Sequence, residues 1–415
     1  MSGVFGISQF NMSLMKLVLP LVIFMIANIN AGAQQWMVAV DSANKSILTN
    51  AHVQFEANEA IDDMYNFNFS RARSGFNTLK KQYGWHPLPY FLDGLNYWWQ
   101  IVPNFSEEKY DAPFSASMDT AILLAKRLYN EINQVEGAFF LAAAYAFKGR
   151  LYSDRGKYMQ SAWLTRQTLK YLSEVRGKES YSPELLFGDG LFNYYSVWIR
   201  ENYPTLKPLM AFFPKGDKQL GIEQLREVAS NGFYSRIEAQ YYLMRILTLE
   251  EKDLEGGTRI ANYLHSTYPN NAYFHRFYNR TLYLKGDYQR ALVEAQEILM
   301  KIDSGYVGYE AYSGRYAAFF LGHINEMAGK YDKAIAYFKM CLDFSEKTNA
   351  TKKGYYFYSL LHLGKIWEKK GDYDFAEEYF LKVKKATKKK NTINKTARRK
   401  LVSIKKKRKG KVLSG

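Results

Sequence analysis

The chain has 415 residues, 47% of them hydrophobic and 16% aromatic, enough for a core larger than that of one ordinary compact domain. Its single cysteine, Cys341, excludes a disulfide framework and a cysteine-rich metal site. The net charge of +17 arises at the C-terminus: residues 382–415 contain 16 Lys or Arg and no acidic residue, whereas residues 34–381 carry 40 basic and 40 acidic residues. This neutral body makes nucleic acid an unlikely partner, because a duplex-binding surface needs clustered positive charge.

The first 33 residues have the order of a secretory signal peptide. Lys16 precedes an apolar run over residues 17–26, and residues 31–33 supply the small side chains of a cleavage site. The run is shorter than an ordinary membrane-spanning helix. We therefore expect a signal peptide over residues 1–33, a mature chain that begins at Gln34, and an exported protein that is periplasmic or envelope-associated. A buried core helix or a short anchor is the alternative interpretation of the apolar run.

Helical patterns with weak internal repetition follow in the first half of the body. The spacing of a second helix in a helix pair occurs at Phe69, Ala72, Phe76 and Leu79. Aromatic residues crowd residues 85–99; we expect most of them in the core, with an exposed platform for a sugar or peptide as the alternative. The glycines Gly188 and Gly190 follow no strand pattern and lack the third glycine of a dinucleotide fingerprint, so they indicate a close approach between helices.

Three glycine-centred turns reveal a clearer repeat toward the C-terminus. The glycines lie 43 and 42 residues apart, at Gly286, Gly329 and Gly371. Each precedes a second helix with a small residue at a fixed offset, at Ala291, Ala334 and Ala376. Four residues later stand Ala295, Phe338 and Phe380. This order predicts that the glycine ends a first helix, that the alanine lets two helix axes approach, and that the residue four positions on packs on the same face.

The pattern resembles the tetratricopeptide repeat (TPR). The copies lie at residues 238–271, 272–298, 315–341 and 357–383. The last copy carries the family residues Gly364, Trp367, Gly371, Tyr373, Ala376 and Phe380. The resemblance implies an all-α fold, an α-α superhelix (TPR-like solenoid) of antiparallel helix pairs over residues 34–381, with a concave groove; with the signal peptide, it suggests an exported, bacterial-type member. Residues 186–221 resemble a segment of the helical-repeat family that includes the inclusion-body clearance proteins.

No pattern in the sequence supports catalysis, a cofactor or a metal site. His323 and Glu326 lie one helical turn apart, but no His-Glu-x-x-His motif or third ligand accompanies them. Cys341 falls at a small, buried repeat position, where packing is expected instead of reactivity. The adjacent acids Asp62 and Asp63 point about 100° apart on a helix and do not converge as a general acid and base would. We therefore predict that the protein is not an enzyme.

The expected binding surface comes from the resemblance. In the family, the first helix of each repeat lines the groove, which here implies Tyr273, Arg276, Arg280 and Tyr283 from one copy and Tyr316, Phe319, His323 and Glu326 from the next. Arg276 and Arg280 are four residues apart and present two guanidinium groups on one helix face. An anion would relieve their repulsion, so we expect a ligand with a carboxylate or other anionic group there. The alternative is that both arginines pair with acids on a neighbouring helix.

The basic C-terminal segment, residues 382–415, begins as the end of a helix. Because like charges repel, we expect it to be disordered when free. An anionic membrane or glycan surface is its expected partner, with a solubilising extension as the alternative.

The sequence leaves two functional hypotheses open. The first is an exported, non-catalytic scaffold that binds a protein, peptide or other extended ligand in its groove. The second is a periplasmic solute- or glycan-binding accessory protein of a transport system. An open groove would favour the scaffold, and a closed pocket lined by aromatic residues would favour the accessory protein.

Overall fold

The computed structural model describes residues 46–210 and 214–413, so the predicted signal peptide (residues 1–33) and the predicted cleavage before Gln34 lie outside the described residues. This described part consists of α-helices joined by turns and contains no β-strand. None of its helices has both the length and the apolar character needed to cross a bilayer. The predicted all-α class is confirmed.

The chain divides into two compact units, Met1–Ile260 and Ala261–Gly415. The described part of the first unit contains α1 (Ala51–Tyr65), α2 (Phe69–Tyr83), α3 (Leu88–Ile101), α4 (Asp111–Glu131), α5 (Gln134–Asp154), α6 (Tyr158–Val175), α7 (Leu186–Asn202), the short helix Lys207–Met210, α8 (Lys218–Asn231), α9 (Arg236–Arg245) with a π turn at Ile246–Glu250, and most of α10 (Leu254–Thr267). Short 3-10 turns lie at Pro183–Leu185 and Pro204–Leu206. The second unit contains the end of α10, then α11 (Ala272–Lys285), α12 (Tyr288–Asp303), α13 (Ala311–Met327), α14 (Tyr331–Lys347), α15 (Gly354–Lys370), α16 (Tyr373–Ala386) and α17 (Thr392–Leu413).

Helix pairs are the repeating element of the second unit. Each helix from α11 to α16 packs against the next one in sequence, and α11 contacts α13, α13 contacts α15, and α15 contacts α17. Every pair thus buries its apolar face against its neighbours, which is the packing of a helical-repeat solenoid. The predicted TPR-like α-α solenoid class is confirmed.

Two of the turns within these pairs owe their shape to a Gly-Asp sequence. Gly286 and Gly371 end α11 and α15 with φ of 81° and 80°, a left-handed conformation that glycine adopts without steric cost. The next residues, Asp287 and Asp372, begin the following helices, and each side chain accepts a hydrogen bond from a backbone N–H of the first turn. The predicted turns are confirmed, as is the one at Gly329, between α13 and α14.

Large and small residues alternate across the contact between the two helices of a pair. Ala291, Ala334 and Ala376 are fully buried, as predicted. A Cβ atom on Gly322 would lie 2.8 Å from the ring of Phe338, and one on Gly364 would lie 2.7 Å from the ring of Phe380. The glycine on the first helix therefore makes room for the phenylalanine on the second, and this pairing sets the distance between the helix axes.

In the first unit, side chains of α9 contact the first helices of earlier pairs. Glu238 on α9 is buried; its Oε1 accepts hydrogen bonds from Trp99 Nε1 at 2.8 Å and from Tyr65 Oη at 3.4 Å. Arg150 on α5 donates to the phenol oxygens of Tyr242 at 2.6 Å and Tyr241 at 3.1 Å. Hydrogen bonds thus join polar groups from four helices inside an aromatic core.

The aromatic segment at residues 85–99 contributes mainly to this core. Trp98 and Trp99 are fully buried, whereas Trp85 is 43% exposed. Farther along, a Cβ on Gly188 would lie 2.6 Å from Leu172, and one on Gly190 would lie 2.9 Å from Leu225. The interpretation of these two glycines as a close helix approach is therefore confirmed.

The C-terminal segment differs from its prediction. Instead of a disordered tail over residues 382–415, the structure has α16 running to Ala386 and the long helix α17. A stripe of apolar residues on α17 is buried against α15 and α16: Ile393, Ala397, Leu401 and Ile404. Lys400 and Lys407 each contact Glu368 at 2.8 Å, and Arg408 pairs with Glu377 and Asp374. The prediction of disorder is wrong for this segment because the apolar stripe and these acids offset the repulsion between like charges.

Candidate ligand-binding site

The eight predicted groove residues lie on two neighbouring first helices, α11 and α13, which contact each other. Four of them are buried: Tyr273, Arg276, Tyr283 and Phe319. The other four are half-buried: Arg280, Tyr316, His323 and Glu326. The side chains form two groups, one rich in arginine and tyrosine and one centred on histidine and glutamate.

We call the first group the arginine–tyrosine cluster: Arg276, Arg280, Arg315, Tyr273, Tyr312 and Tyr316. Two guanidinium groups flank the same two rings. The Arg276 carbon Cζ lies 4.8 Å from the Tyr312 ring centroid and 5.5 Å from that of Tyr316, and the corresponding Arg315 distances are 4.8 and 5.1 Å. The first helices thus hold two cations against shared aromatic faces, a favourable cation–π arrangement.

Arg315 has donor groups that make no hydrogen bond to the described residues. Its side chain is buried, yet Nε and Nη1 have no hydrogen-bond partner among the described residues. A buried polar group without a partner costs about 1–3 kcal/mol. An acceptor that reached these donors from a ligand would recover that cost.

The electrostatics of the cluster are strongly positive. Burial alone would raise the pKa of the Tyr316 phenol, but the charges of Arg315, Arg276 and Arg280 outweigh burial and lower this pKa to about 8. Tyr316 therefore ionises far more readily than an ordinary tyrosine. The same field stabilises any other anion that takes up a position beside these arginines.

In the second group, centred on histidine and glutamate, the polar side chains bond to one another or to a neighbouring histidine. The Tyr283 hydroxyl and His323 Nδ1 are 2.7 Å apart, and the rings of Phe319 and His323 stack. Glu326 bonds to His362 on α15 and not to His323, so the predicted neighbours His323 and Glu326 do not meet at one point. Burial, aided by the nearby His362, lowers the pKa of His323 to about 4, which leaves this imidazole neutral at pH 7.

Several site residues escaped the sequence analysis: Tyr312, Arg315, Tyr355 and His362. The resembled repeat starts at residue 315, but α13 begins at Ala311, and α15 likewise begins three residues before its copy at 357. The missed residues on these two helices lie mostly in or beside the added turns. The spacing of 42 to 43 residues, longer than the usual repeat, was the available signal for such extensions.

Cys341 lies beside this site but belongs to the core. Its side chain is fully buried, and burial raises the pKa of the thiol to about 11. The predicted packing position is confirmed, because a thiol with a raised pKa and no access to solvent is a poor nucleophile.

Comparisons with known proteins give one family match and several similar solved structures. Residues 359–393 match the family model described as tetratricopeptide repeat, which confirms the resemblance for the last predicted copy. No curated protein matches the chain. Among solved structures, the human IFIT1 dimer with PPP-AAAA is similar with 14% identity and a TM-score of 0.42, covering 77% of this chain and 68% of that chain. The P58(IPK) TPR domain is similar with 12% identity and a TM-score of 0.22, and the match covers 85% of this chain and 99% of that chain. The APC/C hetero-tetramer Cut9-Hcn1 is similar with 11% identity and a TM-score of 0.23, and the match covers 88% of this chain and 95% of that chain.

Proposed function

We propose that this protein is a non-catalytic scaffold that binds a protein or peptide partner, and that the arginine–tyrosine cluster holds an anionic group of that partner. One observation carries the proposal: Arg315 is buried, its Nε and Nη1 atoms have no hydrogen-bond partner among the described residues, and it shares the rings of Tyr312 and Tyr316 with Arg276. Helical-repeat folds of this kind generally serve binding and not catalysis, which supports the first part of the proposal.

A carboxylate is the anion that we propose for this site. It accepts hydrogen bonds from a guanidinium group in a planar, bidentate geometry, and such charge-assisted bonds are about twice as strong as neutral ones. Tyr312 and Tyr316 remain half-buried and provide aromatic area for the adjoining part of a peptide. A glutamate, an aspartate or a C-terminal carboxylate of the partner would satisfy these requirements.

The experiment starts with affinity capture from the native envelope fraction on the full mature chain. A peptide from the captured partner is then compared with the same peptide carrying amides in place of its carboxylates. We expect the neutral peptide to bind about 10-fold to 100-fold more weakly, because a hydrogen bond to a charged group contributes about 1.5–3 kcal/mol. The protein variant Arg276→Gln with Arg315→Gln should lose this discrimination, while the exposed control Arg226→Ala keeps it. Equal affinity of both peptides for the wild type would overturn the proposal.

Export is the second part of the proposed function. It is supported by the order of charge, apolar run and small residues over residues 1–33. The proposal places the mature protein in the periplasm or at the envelope and its N-terminus at Gln34. N-terminal sequencing of the native protein tests this, and a cytosolic chain that retains residues 1–33 would contradict it.

A further inference from the structure

Two histidines and a glutamate converge in the second unit, apart from the arginine–tyrosine cluster. His265 lies at the end of α10, His275 on α11 and Glu294 on α12. Glu294 Oε2 is 2.9 Å from His275 Nε2 and 3.4 Å from His265 Nε2, and one ligand atom from each residue falls within 4.8 Å of the others. Sequence spacing gave no sign of this group, which arises only because three helices fold together.

A set of hydrogen bonds holds the ring of His275 through its Nδ1 atom. The Tyr309 hydroxyl donates to the Pro269 carbonyl oxygen at 3.4 Å, and Lys301 Nζ donates to the Tyr309 oxygen at 3.5 Å. Tyr309 Oη lies 2.9 Å from His275 Nδ1, within hydrogen-bond distance. In the tautomer with the proton on Nδ1, the Tyr309 oxygen accepts that proton and the lone pair of Nε2 faces the Glu294 carboxylate.

The contact between His275 and Glu294 lacks the alignment of a hydrogen bond. His275 is completely buried, and its Nε2 has no hydrogen-bond partner among the described residues; the same holds for Glu294 Oε2 and for His265 Nδ1. In the tautomer with Nε2 unprotonated, this nitrogen and the carboxylate oxygen at 2.9 Å repel each other unless a cation lies between them. Lys301, which contacts Tyr309, is paired with Glu297 at 2.8 Å.

We propose that His265, His275 and Glu294 bind a divalent transition-metal ion such as Zn²⁺, with water as a further ligand. Imidazole and carboxylate are the ligands that Zn²⁺ takes in three-residue sites, whereas Mg²⁺ and Ca²⁺ require more oxygen atoms. Bonds of about 2.0–2.2 Å in a tetrahedron place ligand atoms roughly 3.3–3.6 Å apart. The distances of 2.9 and 3.4 Å to Glu294 already approach this range.

Metal binding requires one adjustment. The rings of His265 and His275 now stack with centroids 4.3 Å apart and planes 21° from parallel. Two imidazoles that share an ion point their nitrogen atoms at one position, so the half-buried ring of His265 turns toward the ion while Tyr309 holds His275 in place. The bound ion then links α10, α11 and α12, which belong to successive helix pairs.

The test is calorimetric titration of the full mature chain with Zn²⁺ after treatment with a chelator, supported by the visible spectrum of the Co²⁺ form. We expect one ion per chain, a tetrahedral Co²⁺ spectrum, and no competition from Mg²⁺ or Ca²⁺. Glu294→Gln and His265→Gln, which preserve side-chain size, should abolish this binding. Tyr309→Phe should weaken it about 10-fold, because such outer contacts orient the ligand.

The matched control is His52→Gln, which alters the exposed histidine of a histidine–glutamate pair in the first unit. It should bind Zn²⁺ as the wild type does. Circular dichroism of each variant separates loss of the site from loss of fold, and His265→Gln, at a half-buried position, is the variant least able to disturb packing. Absence of Zn²⁺ binding by the wild type, or equal binding by a folded His265→Gln variant, would overturn the proposal.

Discussion

Glu238 shows how a single buried carboxylate can make the stability of a helical repeat protein depend on pH. Burial is the dominant influence and raises the pKa of Glu238 to about 7, despite the hydrogen bond from Trp99 and the charge of Arg150. The second oxygen, Oε2, is buried without a hydrogen-bond partner among the described residues. A protonated carboxyl group suits this aromatic environment better than an ion.

The substitution Glu238→Gln tests this dependence of stability on pH. Because the folded-state pKa lies above the usual 4.5, this group contributes stability below pH 4.5 and loses it as the pH rises to about 7. We expect the wild type to lose up to roughly 3 kcal/mol relative to the glutamine variant over that range. Urea unfolding at pH 5 and pH 8 measures the difference. Between these pH values, the free energy of unfolding of the exposed control Glu223→Gln should change as that of the wild type does. If the free energy of unfolding of Glu238→Gln also changed in this way, the carboxylate of Glu238 would be ionised in the folded protein.

At the scale of elements, helix spacing rests on the contact between a glycine and a phenylalanine in the later pairs. Gly364 faces Phe380 as Gly322 faces Phe338. In the preceding pair, the second helix has the small Ala295, and the first helix has Asn279, whose amide nitrogen can donate to the Ala291 carbonyl at 3.0 Å. The exchange of large and small residues keeps the contact filled in all three pairs.

Gly364→Ala should therefore destabilise the protein. The added Cβ would lie 2.7 Å from the Phe380 ring, and overpacking of this kind costs about 1–3 kcal/mol. Gly149→Ala is the matched control, because its Cβ would meet Leu164 at an ordinary 3.5 Å, and the gain in helix propensity should leave stability unchanged or raise it by about 1 kcal/mol. Chemical denaturation compares the two variants. A denaturation midpoint of Gly364→Ala equal to that of the wild type would mean that the two helices can move apart at little cost in free energy.

The sequence allowed the repeats to be predicted because their geometry depends on local residue types. Gly286 and Gly371 are needed for a left-handed turn, and Ala376 for a close helix contact, so a pattern of spacing suffices to find them. The candidate site depends on contacts between successive first helices. Arg315 and the group around Glu294 became visible only when residues from different helices were brought together.

The prediction of disorder for residues 382–415 was wrong because it used the composition of the segment and overlooked the helical spacing of its apolar residues. In α17 the apolar residues Ile393, Ala397, Leu401 and Ile404 recur at helical spacing between many lysines and arginines. Their burial depends on an apolar surface supplied by α15 and α16, and the partner of two of the lysines is Glu368. Charge density alone predicts repulsion, whereas a helix that docks one face can leave its remaining charges in solvent.

Across the whole molecule, the excess charge is collected in one helical segment while the remaining body is neutral. We propose that the exposed face of α17 attaches the protein to anionic lipid or glycan surfaces. Its exposed cations include Lys395, Arg399, Lys405 and Lys406. These residues lie away from the buried stripe, so their charges can be removed without disturbing the docking of the helix.

Replacement of these four residues with glutamine should reduce binding to vesicles that contain anionic lipid. Each basic residue near such a surface contributes about 1 kcal/mol, so the loss should exceed 100-fold at low salt and shrink as salt is added. Vesicle sedimentation measures it, with neutral vesicles as the control. Equal retention of the variant and the wild type on anionic vesicles at low salt would remove α17 from any role in attachment.

The lowered pKa of Tyr316 gives the protein an optical reporter of its own. Near pH 8 this phenol is a mixture of tyrosine and tyrosinate, two species with different ultraviolet absorption. An anion that settles beside Arg276 and Arg315 weakens their effect on the phenol, so the pKa of Tyr316 rises and the phenolate takes up a proton. Occupancy of the cluster would then be readable as a fall in tyrosinate absorbance, accompanied by proton uptake, without any attached label.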